Sequence, residues 1–86
     1  MPRVSVFYGI VIAMFYDEHG VPHFHARYAE KRASVSIDTL EVLAGSLPER
    51  ALRLVRDWAM LHQAELHENW LRARDSIPLE PIAPLP

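Results

Sequence analysis

Cysteine is absent from this chain, which excludes disulfides, thiolate metal sites and cysteine nucleophiles together and fits a reducing, cytoplasmic compartment. Glycine is scarce, at three residues in 86, and none of them builds a Gly-rich phosphate loop or a Gly-x-Ser-x-Gly elbow. His-Glu-x-x-His and helix-turn-helix patterns are missing as well. Nucleotide-dependent chemistry, hydrolase-fold catalysis and standard DNA readout are therefore disfavoured. Charge of one sign is also lacking. Nine Lys and Arg against eleven Asp and Glu leave a formal charge of −2, so any attraction to nucleic acid or an anionic membrane has to come from a local patch. Long hydrophobic runs are absent too. The best candidate, Val4 to Tyr16, contains Gly9, is too short to span a bilayer and is followed by no small-residue cleavage site. It reads as a strand, with neither a membrane partner nor a secretory leader expected.

What is present is a hydrophobic fraction of 50%, enough for a packed core and against disorder. The length allows one domain, residues 1–86, with the sheet over 4–44, a helix over 46–74 and an extended tail over 76–86. The apolar surplus in so small a domain points to self-association or a partner.

The expected fold is α+β: an antiparallel meander of three or four strands, then one long amphipathic helix and a Pro-rich tail. Val4–Tyr16 is rich in Val, Ile, Phe and Tyr, as a pleated surface requires. Gly9 marks a bulge or bend in it, and Asp17–Pro22 is a turn. His23–Tyr28 and Ala33–Asp38 both alternate and pair as a hairpin around Ala29–Arg32. That register sets Phe24, Ala26 and Tyr28 opposite Ile37, Val35 and Ala33 on an apolar face. His23, His25 and Arg27 then oppose Asp38, Ser36 and Ser34 on a polar one. A slip of one residue would mix the faces. Leu40–Leu43 forms a short last strand. Ser46-Leu47-Pro48-Glu49 resembles a capping box with proline in the first turn. Beyond it, Ala51, Val55, Trp58, Ala59, Leu66 and Ala73 make one helical stripe flanked by Leu54 and Trp70. Pro78, Pro81, Pro84 and Pro86 end the helix, leaving Ile77, Leu79, Ile82 and Leu85 to lie against the body or a partner.

Three constellations can carry chemistry. His23 and His25, at i and i+2 on a strand, point the same way, as metal pairs and acid–base pairs both require. Asp38 can orient His23, and Arg27 can meet a phosphate's charge, which makes His23, His25, Arg27 and Asp38 the candidate catalytic set. His19, His23 and His25 are the alternative metal ligands, for a divalent ion. The same pattern also describes an ordinary solvated face. On the helix, His62, Glu65 and Asn69 fall in or beside the apolar stripe, where they either bond the sheet or line a site. Arg50, Arg53 and Arg56 form an outward basic row near the helix start, against the macrodipole, which marks them as a partner- or RNA-binding face. An ordinary solvated face laced by pairs such as Arg53–Asp57 is the simpler explanation of the same row.

Phe7-Tyr8-Gly9-Ile10, Asp17-Glu18-His19, Pro22-His23-Phe24-His25, Gly45-Ser46-Leu47-Pro48, Trp58-Ala59, Leu61-His62, Asn69-Trp70, Pro78-Leu79 and Ile82 stand in order along the chain. In this the sequence resembles the domain of unknown function 4160 family (DUF4160), small bacterial proteins, over almost its whole length. Val21 stands where many relatives carry a second proline. The resemblance establishes no reaction. It implies a gene layout like that of toxin–antitoxin pairs, beside a small DUF2442-type protein that would be the cognate partner. The leading expectation is therefore a component of such a module, the toxin in one version, acting on RNA or translation through the His23/His25 face. A non-catalytic binding module, homo-oligomeric or bound to its partner, and a divalent-metal-binding domain are the rivals.

Overall fold

The computed structural model describes residues 2–86 and shows five strands followed by two helices. The strands β1 (Arg3–Phe7), β2 (Ile10–Ala13), β3 (His23–Tyr28), β4 (Lys31–Ser36) and β5 (Val42–Gly45) form one antiparallel meander in sequence order. The helices are α1 (Glu49–Leu61) and α2 (Gln63–Arg74). The α+β class and the meander are as expected; the number of strands and helices is not.

The additional strand comes from the Val4–Tyr16 run, which is a hairpin rather than one strand. It folds at Tyr8–Gly9, where φ is 49° and 78°, and pairs Phe7 with Ile10. Two successive positive φ values match the twist of a tight hairpin. Both arms bury apolar side chains, Val4 and Phe7 on one and Ile10, Ile12 and Ala13 on the other, so hydrophobicity does not dip at the turn.

The β3–β4 register differs from expectation by two residues. His23 faces Ser36, Phe24 faces Val35, His25 faces Ser34 and Arg27 faces Arg32. The connection is only Ala29–Glu30, with Ala29 at φ 53°. An even shift leaves each side chain on its expected face, and Phe24, Ala26, Ala33, Val35 and Ile37 are all buried. The helices cover that face. Ala51, Val55, Trp58 and Ala59 of α1, with Leu66 and Ala73 of α2, are buried as the stripe predicts. Trp58 packs its ring against Phe7 and Phe24 at centroid distances of 5.3 and 5.9 Å.

One long helix over 46–74 is replaced by two, because His62 leaves the helical region at φ −129° and its N–H bonds the Ala59 carbonyl instead. Gln63 then ties the start of α2 to the sheet by donating to the Ile37 carbonyl at 2.8 Å. The apolar stripe runs on through the break, so periodicity does not reveal it. The capping box also fails to form. Helix α1 begins at Glu49 after Pro48 with no side-chain cap, and the Ser46 N–H goes to the Arg32 carbonyl at 2.9 Å.

The tail closes on its own body. Ile82 is buried and its N–H bonds the Val4 carbonyl at 2.7 Å, while Trp58 Nε1–H donates to the Ala83 carbonyl at 2.8 Å. Strand β1 is thus flanked by the tail, and β5 is the other edge. Among the described residues, no helix is long and apolar enough to cross a membrane.

Candidate metal centre

Glu18, His23 and His25 each present a ligand atom within 4.8 Å of the other two. Strand β3 supplies the histidines, two positions apart and therefore on one side of the sheet. The Asp17–Pro22 loop supplies the carboxylate. Positive φ at Asp17 (60°) and Gly20 (91°) turns that loop back so that Glu18 lies over the strand that follows it.

Both imidazoles are held from behind. His23 Nδ1 lies 2.8 Å from the Val21 carbonyl. A carbonyl only accepts, so Nδ1 carries the proton and Nε2 is directed to Glu18, 3.3 Å from Oε2. His25 Nδ1 lies 3.3 Å from the Ser34 hydroxyl, and its Nε2 contacts Glu18 Oε1. Aromatic rings fix the imidazole planes: Phe15 packs edge-on to His25 at 4.6 Å, and Trp70 of α2 packs on His23 at 5.2 Å. The side chains of His23, His25 and Glu18 retain 12%, 29% and 26% of their accessible surface, so the centre is recessed yet open on the His25 side.

The Glu18 carboxyl titrates below its ordinary value. Burial alone would raise it, but the hydrogen bond with His25 and the charges of His25 and His23 together outweigh that effect.

Beside His25, on the side of the sheet away from the helices, lies a groove of about 280 Å³. Val11, Ala13, Phe15 and Ala44 give it apolar walls, while His25, Ser34, Arg27 and Arg32 give it polar ones.

The other sequence candidates go elsewhere. Asp38 is not opposite His23; it pairs with His67 Nε2 at 2.7 Å. His19 is exposed and is not among the three converging ligands. His62 and Glu65 pair with each other at 2.5 Å, and the His62 ring lies tilted against Trp58. Asn69 is buried and holds the tail. Arg56 ties α1 to the β4–β5 loop by donating to the Leu40 carbonyl at 3.0 Å, whereas Arg50 and Arg53 are exposed. No Arg53–Asp57 ion pair forms among the described residues. Two contributors are new. The sequence presents Glu18 only as part of a turn, and Arg32 as part of the hairpin loop.

Among known proteins, the family model described as Domain of unknown function (DUF4160) matches residues 9–71, a span that contains all three converging ligands. No curated protein and no solved structure matches the chain.

Proposed function

Because the chain belongs to the DUF4160 family, whose description names no activity, we propose a function from the site itself. Glu18, His23 and His25 form a divalent-metal centre, and that centre is the active site of the toxin in a toxin–antitoxin-type module acting on RNA. The observation that carries the metal reading is the orientation of the two imidazoles. Each has a partner for Nδ1, Val21 or Ser34, and each turns Nε2 toward the same carboxylate. Histidines that ligate metals are oriented in this way, with the far ring nitrogen bonded to a carbonyl or another polar group.

The donor set fits the ion. Two imidazoles and a carboxylate suit zinc with a position left open, as catalytic zinc sites have. Bound there, zinc supplies a Lewis acid and an acidified water for hydrolysis. The protein's own part is to fix the ligands, exclude competing water on the Trp70 and Phe15 sides, and leave the His25 side open to substrate. The RNA and toxin assignments rest on the cationic groove beside the centre and on the gene layout implied by the family resemblance.

A second reading, a partner-binding module, is supported by the sheet edges. Strand β5, Val42-Leu43-Ala44-Gly45, carries no charged residue and Leu43 is exposed. Such an edge accepts an added strand.

The test combines metal and growth. Zinc is expected to raise the melting temperature of the native chain, since a ligand bound only by the folded state stabilises it by mass action, and not that of His25→Ala or Glu18→Gln. Expression is expected to arrest growth, with relief by His25→Ala and by the neighbouring small protein. Zinc that shifts neither melting nor elemental content would overturn the metal centre; growth arrest unchanged in His25→Ala would overturn its role as the active site.

A further inference from the structure

Arg27 of β3 and Arg32 of β4 stand directly opposite each other in the antiparallel register. Like charges at that separation repel and destabilise a sheet, so an opposed pair is normally offset by a nearby carboxylate. None is present: no ion pair to Arg27 or Arg32 exists among the described residues, and no acidic side chain lines the groove that both arginines enter. The chain as a whole is slightly acidic, at −2, so this is a local concentration of positive charge in a concave site. The groove's apolar walls include the ring of Phe15.

We propose that this groove binds the backbone of single-stranded RNA, with a phosphodiester held between Arg27 and Arg32 and a base against Phe15. This deepens the function proposed above, on which it rests only for the chemistry at His25. A cationic track combined with an aromatic platform is how proteins hold single strands without reading their sequence. Guanidinium groups match phosphate oxygens in a planar, two-point contact that lysines do not make. Bound phosphate also removes the repulsion between the two arginines, which otherwise stands uncompensated. Ser34 and His25 lie in the same groove, so a strand bound there runs from the arginine pair to the open side of the Glu18–His23–His25 centre. A base-paired helix keeps its bases stacked inside, where a side chain such as Phe15 finds no free π-face.

The decisive measurement is fluorescence anisotropy of a short labelled oligouridylate with the full chain held in EDTA, so that no metal is needed for binding. One phosphodiester clamped by both arginines predicts a slope of roughly −0.7 for log K against log salt, at ~0.7 per phosphate on a single strand. Arg27→Gln/Arg32→Gln is expected to flatten that slope and weaken binding by about tenfold or more, with its melting temperature unchanged or higher because the repulsion is gone. Equal binding by native chain and double variant, equal binding of the duplex form, or displacement by inorganic phosphate at matched phosphate concentration would each overturn the assignment. If the double variant cannot be purified folded, the salt slope and the duplex and phosphate competitions on the native chain decide. Zinc-induced stabilisation is read on the same preparation after removal of EDTA. Zinc-induced stabilisation with no RNA binding defeats the groove alone, and RNA binding by a chain that zinc does not stabilise defeats the metal centre alone.

Discussion

Asn69 and Glu80 close a two-way bond between α2 and the tail. Asn69 Nδ2 donates to the Glu80 carbonyl at 2.9 Å, and its Oδ1 accepts the Glu80 N–H at the same distance. The Asn69 side chain is 1% exposed, so it has no water as a substitute partner. A polar residue inside an apolar stripe is thus a fastening for the tail, a role different from the bond to the sheet or the place in a site expected of Asn69.

Asn69→Ala is expected to lower stability by roughly 2–4 kcal/mol. It removes two part-buried hydrogen bonds, at about 0.5–1.5 kcal/mol each, and leaves a void where a fully buried side chain stood. Asn69→Asp keeps an acceptor for the Glu80 N–H but sets a carboxylate against the Glu80 carbonyl, so it should lose stability as well. Urea unfolding of the three proteins checks the order.

Deleting residues after Asp75 is expected to destabilise the chain by more than Asn69→Ala does. The deletion removes the same two bonds, the Trp58-to-Ala83 bond and the buried Ile82 side chain. Burial of an isoleucine alone contributes about 1.5–3 kcal/mol. It also exposes the β1 edge that Ile82 covers, so the truncated chain should self-associate in light scattering while the intact one does not. A truncated chain that melts with the intact one would show that the tail contributes nothing.

How far the sequence carried depended on whether a feature was local. Alternation in His23–Tyr28 and Ala33–Asp38, and the stripe from Ala51 to Ala73, express burial directly, and both were legible. The Tyr8–Gly9 turn was hidden because its flanks are apolar on both sides and Tyr-Gly lacks the Asn-Gly or Asp-Gly signature. Glu18 was missed as a candidate ligand because only the path of the Asp17–Pro22 loop brings it over His25. Arg32 was missed because a four-residue turn takes it out of the sheet, whereas the two-residue turn at Ala29–Glu30 sets it against Arg27. The same two-residue offset separates Asp38 from His23 and leaves it to His67.

Gly45→Ala is expected to cost well over about 2 kcal/mol, in the range of severe backbone strain. Gly45 ends β5 at φ +74°, and a Cβ there would stand 2.2 Å from the Arg32 carbonyl oxygen. That oxygen cannot retreat easily because it also accepts the Ser46 N–H at 2.9 Å. Gly20→Ala provides the contrast. It shares a positive φ of 91°, but a Cβ there meets nothing within 4 Å, so it should lose less. Thermal melts of the two variants compare backbone strain with and without a collision.

Glu18 makes stability depend on pH in a definite direction. Burial would raise its carboxyl, but contact with His25 and His23 outweighs burial and holds the folded-state value below the ordinary 4.5. A carboxyl depressed on folding stabilises the protein at pH values above its unfolded pKa, and that contribution disappears as pH falls through the folded one. Below both values, folded and unfolded chains bind the proton alike. Above 4.5 the native chain should therefore melt higher than Glu18→Gln in EDTA. The gap should narrow as pH drops beneath that value and close once the folded-state carboxyl is protonated as well. Zinc moves the comparison the other way at neutral pH. It widens the gap, because the amide of the Glu18→Gln variant offers no carboxylate to the ion, and the widening should vanish on acidification as protons compete for His23 and His25. Melting curves of both proteins from about pH 2 to 8, spanning the range where carboxylates and histidines titrate, with EDTA and with zinc, give the result. A gap that stays constant across the acid range would show that Glu18 is not coupled to the two histidines in the folded state.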